Sequence, residues 1–231
     1  MIERRNFSDR QTLINALGEH LAAAVRQSIA AQGRASLAVS GGSTPVPLFE
    51  RLAELDLPWP QVLITLADER WVELSSPDSN EALVRRHLLT KRAAAAVFVG
   101  LKNTAAQAAA GEAACGEQLR QLPLPFTAVI LGMGNDGHTA SLFPCAAQLA
   151  HAADMNCGKL CAAVRPQTAL YERMTLTLPT LLTAKEIILH ITGPDKQAVL
   201  EKALQAGPPE EMPIRFIFRQ EAVPVTVWWA P

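Results

Sequence analysis

Short apolar runs alternate with helix-like segments along the 231 residues of this chain, and this alternation constrains the fold more than any other feature. Strands separated by helices pair into a mostly parallel sheet with helices on both faces. We therefore predict an α/β fold, as a single domain over residues 1–231, because this length needs no second domain. The predicted strands are 35–40, 62–67, 97–99, 128–131, 160–164, 174–178, 186–192 and 223–229.

Three local details are also predicted. Apolar residues recur at helical spacing over 13–29, and Ser8 with Gln11 indicates a capping box at the start of this helix. The charged segment 68–72 is interpreted as a loop. Pro224 lacks an N–H to donate, so the last strand is expected at an edge or a bulge of the sheet.

The charge balance excludes several classes of partner. A formal net charge of −1 gives no electrostatic footprint for nucleic acid or for an anionic membrane. No apolar run approaches the ~20 residues of a membrane span, and the basic start of the chain lacks the apolar core of a secretory signal. We expect a cytoplasmic protein without nucleic-acid or membrane partners, as a monomer or a small homo-oligomer.

The cysteines predict neither a disulfide framework nor a metal centre. They form no C-x-x-C pair, and no His lies at zinc-finger spacing from them. Disulfides are also improbable in a cytosolic protein of this size. We expect no metal, and idle thiols at Cys115, Cys145, Cys157 and Cys161.

The segment Gly132–Pro144 is the strongest candidate for a catalytic loop. It follows the apolar run 128–131 and begins with three glycines, Asp136 and His138 within seven residues. Glycine permits sharp turns and close approach to a ligand, and His changes charge near neutral pH more readily than other side chains. Ligands of parallel sheets bind past the carboxyl ends of strands. The sequence therefore favours a catalytic His138 over a structural one.

Two more polar loops follow predicted strands. Gly41–Thr44 offers amides and hydroxyls to an anion at a helix start, although alone it reads equally well as a tight turn. The charges of Asp68, Glu69 and Arg70 would alone be read as a solvated loop. Because the ends of parallel strands converge on one edge, the three clusters together favour one shared site.

Two cations are candidates for the same site. Lys196 follows Gly193 at a strand-to-helix turn, where a lysine opposes the helix dipole unless it neutralises an anion. Arg173 opens a strand and is interpreted equally well as a second phosphate ligand or as a surface residue. His190 lies inside a predicted strand and is expected to be buried.

The order of these motifs resembles that of the 6-phosphogluconolactonase family. The matching segments Ser40–Pro45, Asp68–Val72, Gly132–Pro144 and Thr192–Lys196 lie within a span from about residue 36 to 205. The resemblance implies a Rossmann-like α/β domain related to glucosamine-6-phosphate deaminase. It also implies hydrolysis of 6-phospho-D-glucono-1,5-lactone in the oxidative pentose phosphate pathway, without metal or cofactor.

The same resemblance implies roles for individual residues. It makes His138 the catalytic histidine, with Asp136 near it, and a phosphorylated sugar lactone the partner. No Gly-x-Ser-x-Gly elbow is present, so direct attack by water is preferred over an acyl-enzyme. The substrate-binding residues are Gly42, Ser43, Thr44, Lys196 and Arg173 at the phosphate, and Asp68 and Arg70 beside the sugar.

Two other functions rank lower. A deaminase of amino-sugar phosphates resembles this chain but carries Glu before the proline of the catalytic loop, where Phe143 cannot transfer a proton. A non-catalytic sugar-phosphate sensor would have no need of His138, Asp136 and Asp68. One segment departs from the family pattern: residues 210–218 are bulky and apolar, and we expect them not to touch the site.

Overall fold

The computed structural model describes residues 2–231, and each predicted strand is found in it. The strands are β1 Glu3–Asn6, β2 Ala35–Val39, β3 Val62–Leu66, β4 Asp68–Arg70, β5 Val97–Val99, β6 Ala128–Leu131, β7 Cys161–Val164, β8 Arg173–Leu176, β9 Ile187–Thr192 and β10 Val225–Ala230. The α-helices are α1 Arg10–Gln32, α2 Val46–Glu54, α3 Asn80–His87, α4 Ala108–Leu119, α5 Leu149–Ala153, α6 Leu178–Leu181, α7 Pro194–Leu204 and α8 Ile214–Arg219.

The main sheet is parallel and has the order β1-β10-β9-β6-β2-β3-β5, which confirms the predicted fold class. From β2 the chain moves outward through β3 to β5, and it then returns to the other side of β2 with β6. Such a reversal leaves a crevice past the carboxyl ends of the two central strands. The loops Ser40–Pro45 and Gly132–Pro144 follow these strands, so the topology brings them together.

Hydrophobic burial makes the sheet a rigid platform for these loops. All residues of β2, β3 and β6 are buried, so both faces at the centre of the sheet are covered. Leu13, Leu17 and Leu21 of α1 are fully buried in the core, where each such side chain contributes roughly 1.5–3 kcal/mol.

The start of α1 differs from the prediction. Asp9 caps the helix, since its Oδ1 accepts the N–H of Thr12 at 2.8 Å. Ser8 instead donates from its hydroxyl to Asp9 Oδ2 at 2.7 Å, so the predicted Ser8–Gln11 capping box is wrong. A carboxylate serves this position well because it also complements the positive end of the helix dipole.

The segment after β3 forms a strand, so its interpretation as a loop is wrong. β4 pairs antiparallel with β8, and β8 pairs antiparallel with β7, in a second, three-stranded sheet. A run of charged residues carries no apolar period that would predict a strand. The small sheet holds Asp68 and Arg70 alongside Arg173.

Pro224 precedes the last strand, so the prediction that this strand lies at an edge or a bulge of the sheet is wrong. β10 begins at Val225 and lies between β1 and β9 within the main sheet. Pro224 contributes its carbonyl, which accepts the N–H of Ile187 at 3.0 Å, and this contact needs no N–H from proline. The edge position belongs to β1.

Candidate active site

A cavity of about 680 Å³ opens between the loops that follow β2 and β6. The small sheet and the start of α7 complete its walls. Every residue predicted for the site lines it: His138, Asp136, Gly42, Ser43, Thr44, Asp68, Arg70, Arg173 and Lys196. The structure therefore brings the predicted set together, while the role of each residue stays a prediction.

The imidazole of His138 and the carboxylate of Asp136 form a hydrogen-bonded couple. His138 Nδ1 lies 2.6 Å from Asp136 Oδ1, which also accepts the backbone N–H of His138 at 3.1 Å. Burial acts to raise the pKa of Asp136, but interaction with His138 outweighs it and the pKa is lowered. Because Nδ1 is engaged, Nε2 is the ring nitrogen left to act on a ligand in the cavity.

The backbone of the loop is shaped around this couple. Gly134 donates its N–H to the carbonyl of His138 at 2.8 Å, and Gly137 donates to the carbonyl of Gly134 at 3.1 Å. A Cβ on Gly134 would lie 2.1 Å from His138 Nδ1. Only glycine at position 134 therefore leaves room for the imidazole in this orientation.

Residues 210–218 do not line the cavity, as expected, but they contact the loop Gly132–Pro144. The N–H of Ile214 donates to the carbonyl of Gly137 at 2.8 Å. Met212 packs so closely that a Cβ on Gly137 would lie 2.8 Å from its Cβ. Gly137 separates Asp136 from His138 in sequence, so this segment supports the couple.

The loop Ser40–Pro45 presents unpaired donors. Within residues 2–231, no protein acceptor pairs with the backbone N–H groups of Gly42, Ser43 and Thr44. The side-chain hydroxyls of Ser43 and Thr44 also donate to no protein acceptor there, and neither hydroxyl is enclosed. Gly42 adopts a φ of 91°, which few other residues tolerate. Free amides and hydroxyls at a strand-to-helix turn suit a phosphate.

Lys196 enters the cavity from the first turn of α7. Gly193 makes the turn into this helix with a φ of 91°, and Lys196 Nζ donates to Asn135 Oδ1 at 2.6 Å. Burial lowers the pKa of Lys196, whereas Asp136 and Asp195 act to raise it. A partly desolvated ammonium beside the catalytic loop suits the neutralisation of an anion.

Arg70 and Arg173 lie directly opposite each other on β4 and β8. Like charges so placed repel. Arg70 donates to the carbonyl of Asp78 at 2.8 Å, and the buried Nε of Arg173 has no partner within residues 2–231. Burial lowers the pKa of Arg173, Asp68 acts to raise it and Arg70 to lower it. An anion bound between the two guanidinium groups would relieve their repulsion.

The carboxylate of Asp68 is oriented by Ser141. Ser141 donates from its hydroxyl to Asp68 Oδ2 at 2.6 Å, and its own N–H donates to Thr175 Oγ1 at 3.2 Å. The second oxygen of Asp68 has no hydrogen-bond partner in the described chain and is not enclosed. Asp68 can therefore accept a hydrogen bond from a donor group of a ligand in the cavity.

The sequence placed Glu69 in the charged cluster but did not predict its structural role, in which its carboxylate organises one wall of the site. It is fully buried and accepts the N–H groups of Arg70, Asn80 and Glu81, each at 2.7 Å. Burial raises the pKa of Glu69 to about 7 against these hydrogen bonds. The helix start at Asn80 was a local signal, but the contact with Glu69 depends on tertiary structure.

Residues 2–231 contain neither a candidate metal cluster nor a candidate membrane-spanning helix. No group of three or more His, Cys, Asp or Glu side chains there is placed to hold a metal ion. No helix in that range has both the length and the apolar character needed to cross a membrane. The cysteines are free thiols, two of them, Cys115 and Cys161, buried.

Known proteins resemble this chain over nearly its whole length. The family described as Glucosamine-6-phosphate isomerases/6-phosphogluconolactonase matches residues 8–228. A 6-phosphogluconolactonase of Pseudomonas putida is 39% identical over 100% of this chain and 93% of its own length, and one of Mesorhizobium japonicum is 42% identical over 97% and 94%. A crystal structure of a 6-phosphogluconolactonase from Shewanella baltica, 43% identical, has a TM-score of 0.98 and covers 100% of this chain and 98% of that one. The chain belongs to the glucosamine-6-phosphate isomerase/6-phosphogluconolactonase family.

Proposed function

We propose that this protein hydrolyses 6-phospho-D-glucono-1,5-lactone to 6-phospho-D-gluconate, as a step of the oxidative pentose phosphate pathway. The named relatives, 39–43% identical, are 6-phosphogluconolactonases, which supports this substrate. The observation that carries the proposal is the His138–Asp136 couple, which shares one cavity with the free donors of Ser40–Pro45.

Hydrolysis of a lactone requires a base for the water and an acid for the leaving ring oxygen. His138 Nε2 takes a proton from water while the water oxygen bonds to the carbonyl carbon. The resulting oxyanion then collapses, the bond from that carbon to the ring oxygen breaks, and Nε2 returns the proton to the departing alkoxide. Such acid–base catalysis typically contributes ~10²–10⁴ in rate.

Asp136 supports both proton transfers. With Nδ1 of His138 donating to it, its carboxylate holds the tautomer whose Nε2 is free to accept a proton. Its negative charge also stabilises the imidazolium that forms between the two transfers. The lowered pKa of Asp136 keeps it ionised at neutral pH, as this role requires.

The remaining cavity residues bind the two ends of the substrate. The phosphate lies at the free donors of Ser40–Pro45, with Lys196 and Arg173 neutralising its charge. Asp68 accepts a hydrogen bond from a sugar hydroxyl. Arg70 or loop amides stabilise the oxyanion, which is the group whose charge grows in the transition state.

The deaminase alternative finds no support at Phe143. Ring opening of an amino sugar would be helped by a further carboxylate near the imidazole. The ring of Phe143 occupies that neighbourhood, with its centroid 4.2 Å from that of His138. Phenylalanine has no proton to transfer, so the geometry favours the hydrolase.

The function is tested by following hydrolysis of the lactone as glucose-6-phosphate dehydrogenase produces it. We expect purified protein to accelerate ring opening and to release no ammonia from glucosamine 6-phosphate. His138→Ala should lose most of the activity, since acid–base catalysis is removed. Ammonia release with no effect on the lactone would instead support the deaminase.

A glycine pair tests the geometry of the couple. In Gly134→Ala the new Cβ would meet His138 Nδ1 at 2.1 Å, whereas a Cβ on Gly132 would meet no atom of residues 2–231 within 4 Å. We expect Gly134→Ala to lower kcat about 100-fold, because displaced catalytic groups lose reactivity steeply, and Gly132→Ala to lower it far less. Equal losses would contradict the proposed role of the couple.

Cytoplasmic location and a monomeric or small homo-oligomeric state are proposals as well. Cell fractionation tests the first, and light scattering of the purified protein tests the second. A membrane-bound fraction or a large assembly would contradict them.

A further inference from the structure

We propose that Phe143 is a positioning residue, which holds the His138 imidazole in its reactive orientation by stacking on it. The ring centroids of Phe143 and His138 lie 4.2 Å apart, and the ring planes are inclined by 27°. Aromatic rings at such a separation attract each other beyond the effect of area burial. The contact covers one face of the imidazole, while Nε2 is not enclosed and His138 lines the cavity.

The hydrogen bond to Asp136 does not by itself fix the direction of Nε2. It holds Nδ1 at 2.6 Å, but the Asp136 side chain is 37% exposed and can follow a turning ring. Gly134 lies close to the ring on one side, since a Cβ on it would come within 2.1 Å of Nδ1 and 2.2 Å of Cε1. A flat partner on the ring face restricts the remaining rotation, and Phe143 is that partner.

Phe143 is itself held rigidly. It is 4% exposed, and the chain reaches it through a turn in which Leu142 donates its N–H to the carbonyl of Thr139 at 3.0 Å. Ala140 adopts a φ of 47° in this turn, a left-handed conformation that costs energy for a residue with a Cβ. The strained turn returns the chain so that Phe143 meets His138.

Arg173 contacts the same aromatic ring. Its guanidinium carbon lies 5.7 Å from the Phe143 centroid, a cation–π distance. Leucine or methionine would fill much of the volume of Phe143 but would lack the face that both neighbours contact. Tyrosine would keep that aromatic face. The Phe143→Tyr variant therefore distinguishes a role of the aromatic ring from the mere filling of space.

The turnover test rests on the proposed function. We expect Phe143→Leu and Phe143→Met to lower kcat for lactone hydrolysis about tenfold or more, with KM within about threefold, and Phe143→Tyr to restore kcat. Phe126→Leu is the matched control. Phe126 is also fully buried, but it precedes β6 at the opposite end of the strand and bridges to Ala184.

An NMR measurement tests the stacking without reference to turnover. The His138 ring-proton resonances, identified by their loss in His138→Gln, should carry an upfield ring-current shift in wild type and in Phe143→Tyr. The shift should vanish in Phe143→Leu and Phe143→Met. Unchanged resonances, or a kcat equal to that of Phe126→Leu, would overturn the inference. Wild-type protein inactive on the lactone would refute the proposed function, and the NMR shift would still decide the role of Phe143.

Discussion

His190 contrasts with His138 and shows how surroundings decide what a histidine does. It is 3% exposed within β9, as expected from the sequence, and neither ring nitrogen has a hydrogen-bond partner within residues 2–231. Burial lowers its pKa from 6.5 to about 4. The folded protein therefore resists protonation of His190, while the unfolded chain accepts the proton near pH 6.5. The neutral imidazole of His190 therefore contributes its full stabilisation of the fold above pH 6.5, and this stabilisation is lost as the pH falls from 6.5 toward 4.

His190→Leu should remove this pH dependence. Between pH 7.5 and 4.5 we expect wild type to lose roughly 2 kcal/mol more unfolding free energy than the variant, as measured by urea denaturation. Glu69, whose raised pKa of about 7 acts with the opposite sign, is present in both proteins and cancels in the comparison. Parallel pH dependences would contradict the assignment.

At the scale of elements, a carboxylate from one element completes the start of another. Ser79 caps α3 by accepting the N–H of Ala82 at 3.1 Å. Glu69 in β4 accepts two more N–H groups of that helix start, those of Asn80 and Glu81, and a negative charge there also complements the helix dipole. The contact fixes α3 against β4, so that Asn80 and Arg70 both border the cavity.

Glu69→Gln should destabilise the protein by about 2–4 kcal/mol. The carboxylate of Glu69 accepts hydrogen bonds through both of its oxygens, whereas the amide of glutamine has one acceptor oxygen and one NH₂ group. The NH₂ group would face backbone N–H donors and leave them unpaired. Buried donors without a partner cost free energy. Glu73→Gln is the control, because the Glu73 side chain is 85% exposed and should change stability by less than about 0.5 kcal/mol. Chemical denaturation of both variants measures the difference; equal stabilities would refute this account of Glu69.

At the scale of the whole molecule, the C-terminal region holds the loop Gly132–Pro144 to the far end of α7. Arg215, 4% exposed, donates to the carbonyls of Lys202 at 3.2 Å, Ala203 at 3.1 Å and Pro208 at 3.0 Å. The preceding residue, Ile214, donates to Gly137 of the loop. Thus α8 connects this loop to α7, the helix whose first turn carries Lys196.

Arg215→Lys should weaken this connection. An ammonium cannot reach three carbonyls spread around a planar guanidinium, so we expect a loss of about 2–4 kcal/mol in unfolding free energy. A lower kcat should accompany it, because Gly137 loses support. Arg219→Lys provides the control in denaturation and turnover assays, because Arg219 is exposed and, among residues 2–231, its side chain donates only to the carbonyl of Gly207. Equal behaviour of the two variants would show that α8 does not support the loop.

The sequence by itself determined the fold class, the two glycine-rich loops that line the cavity and every strand of the main sheet except β1. Apolar runs and glycine-rich polar loops are local signals, which depend on residues that are neighbours in the chain. The loops Gly132–Pro144 and Ser40–Pro45 could therefore be located from the sequence alone. Their meeting could also be predicted, because parallel strands place their carboxyl ends on one edge.

Only the tertiary structure decided what surrounds each of these residues. β4 exists because β8 pairs with it, Ser141 reaches Asp68 across 73 positions, and Ile214 meets Gly137 although residues 210–218 departed from the family pattern. Such contacts depend on how segments that are distant in the sequence pack against a shared core, and no local periodicity of the sequence predicts them. For that reason the sequence located the reactive loop, while the folded chain alone decided which groups hold His138 in place.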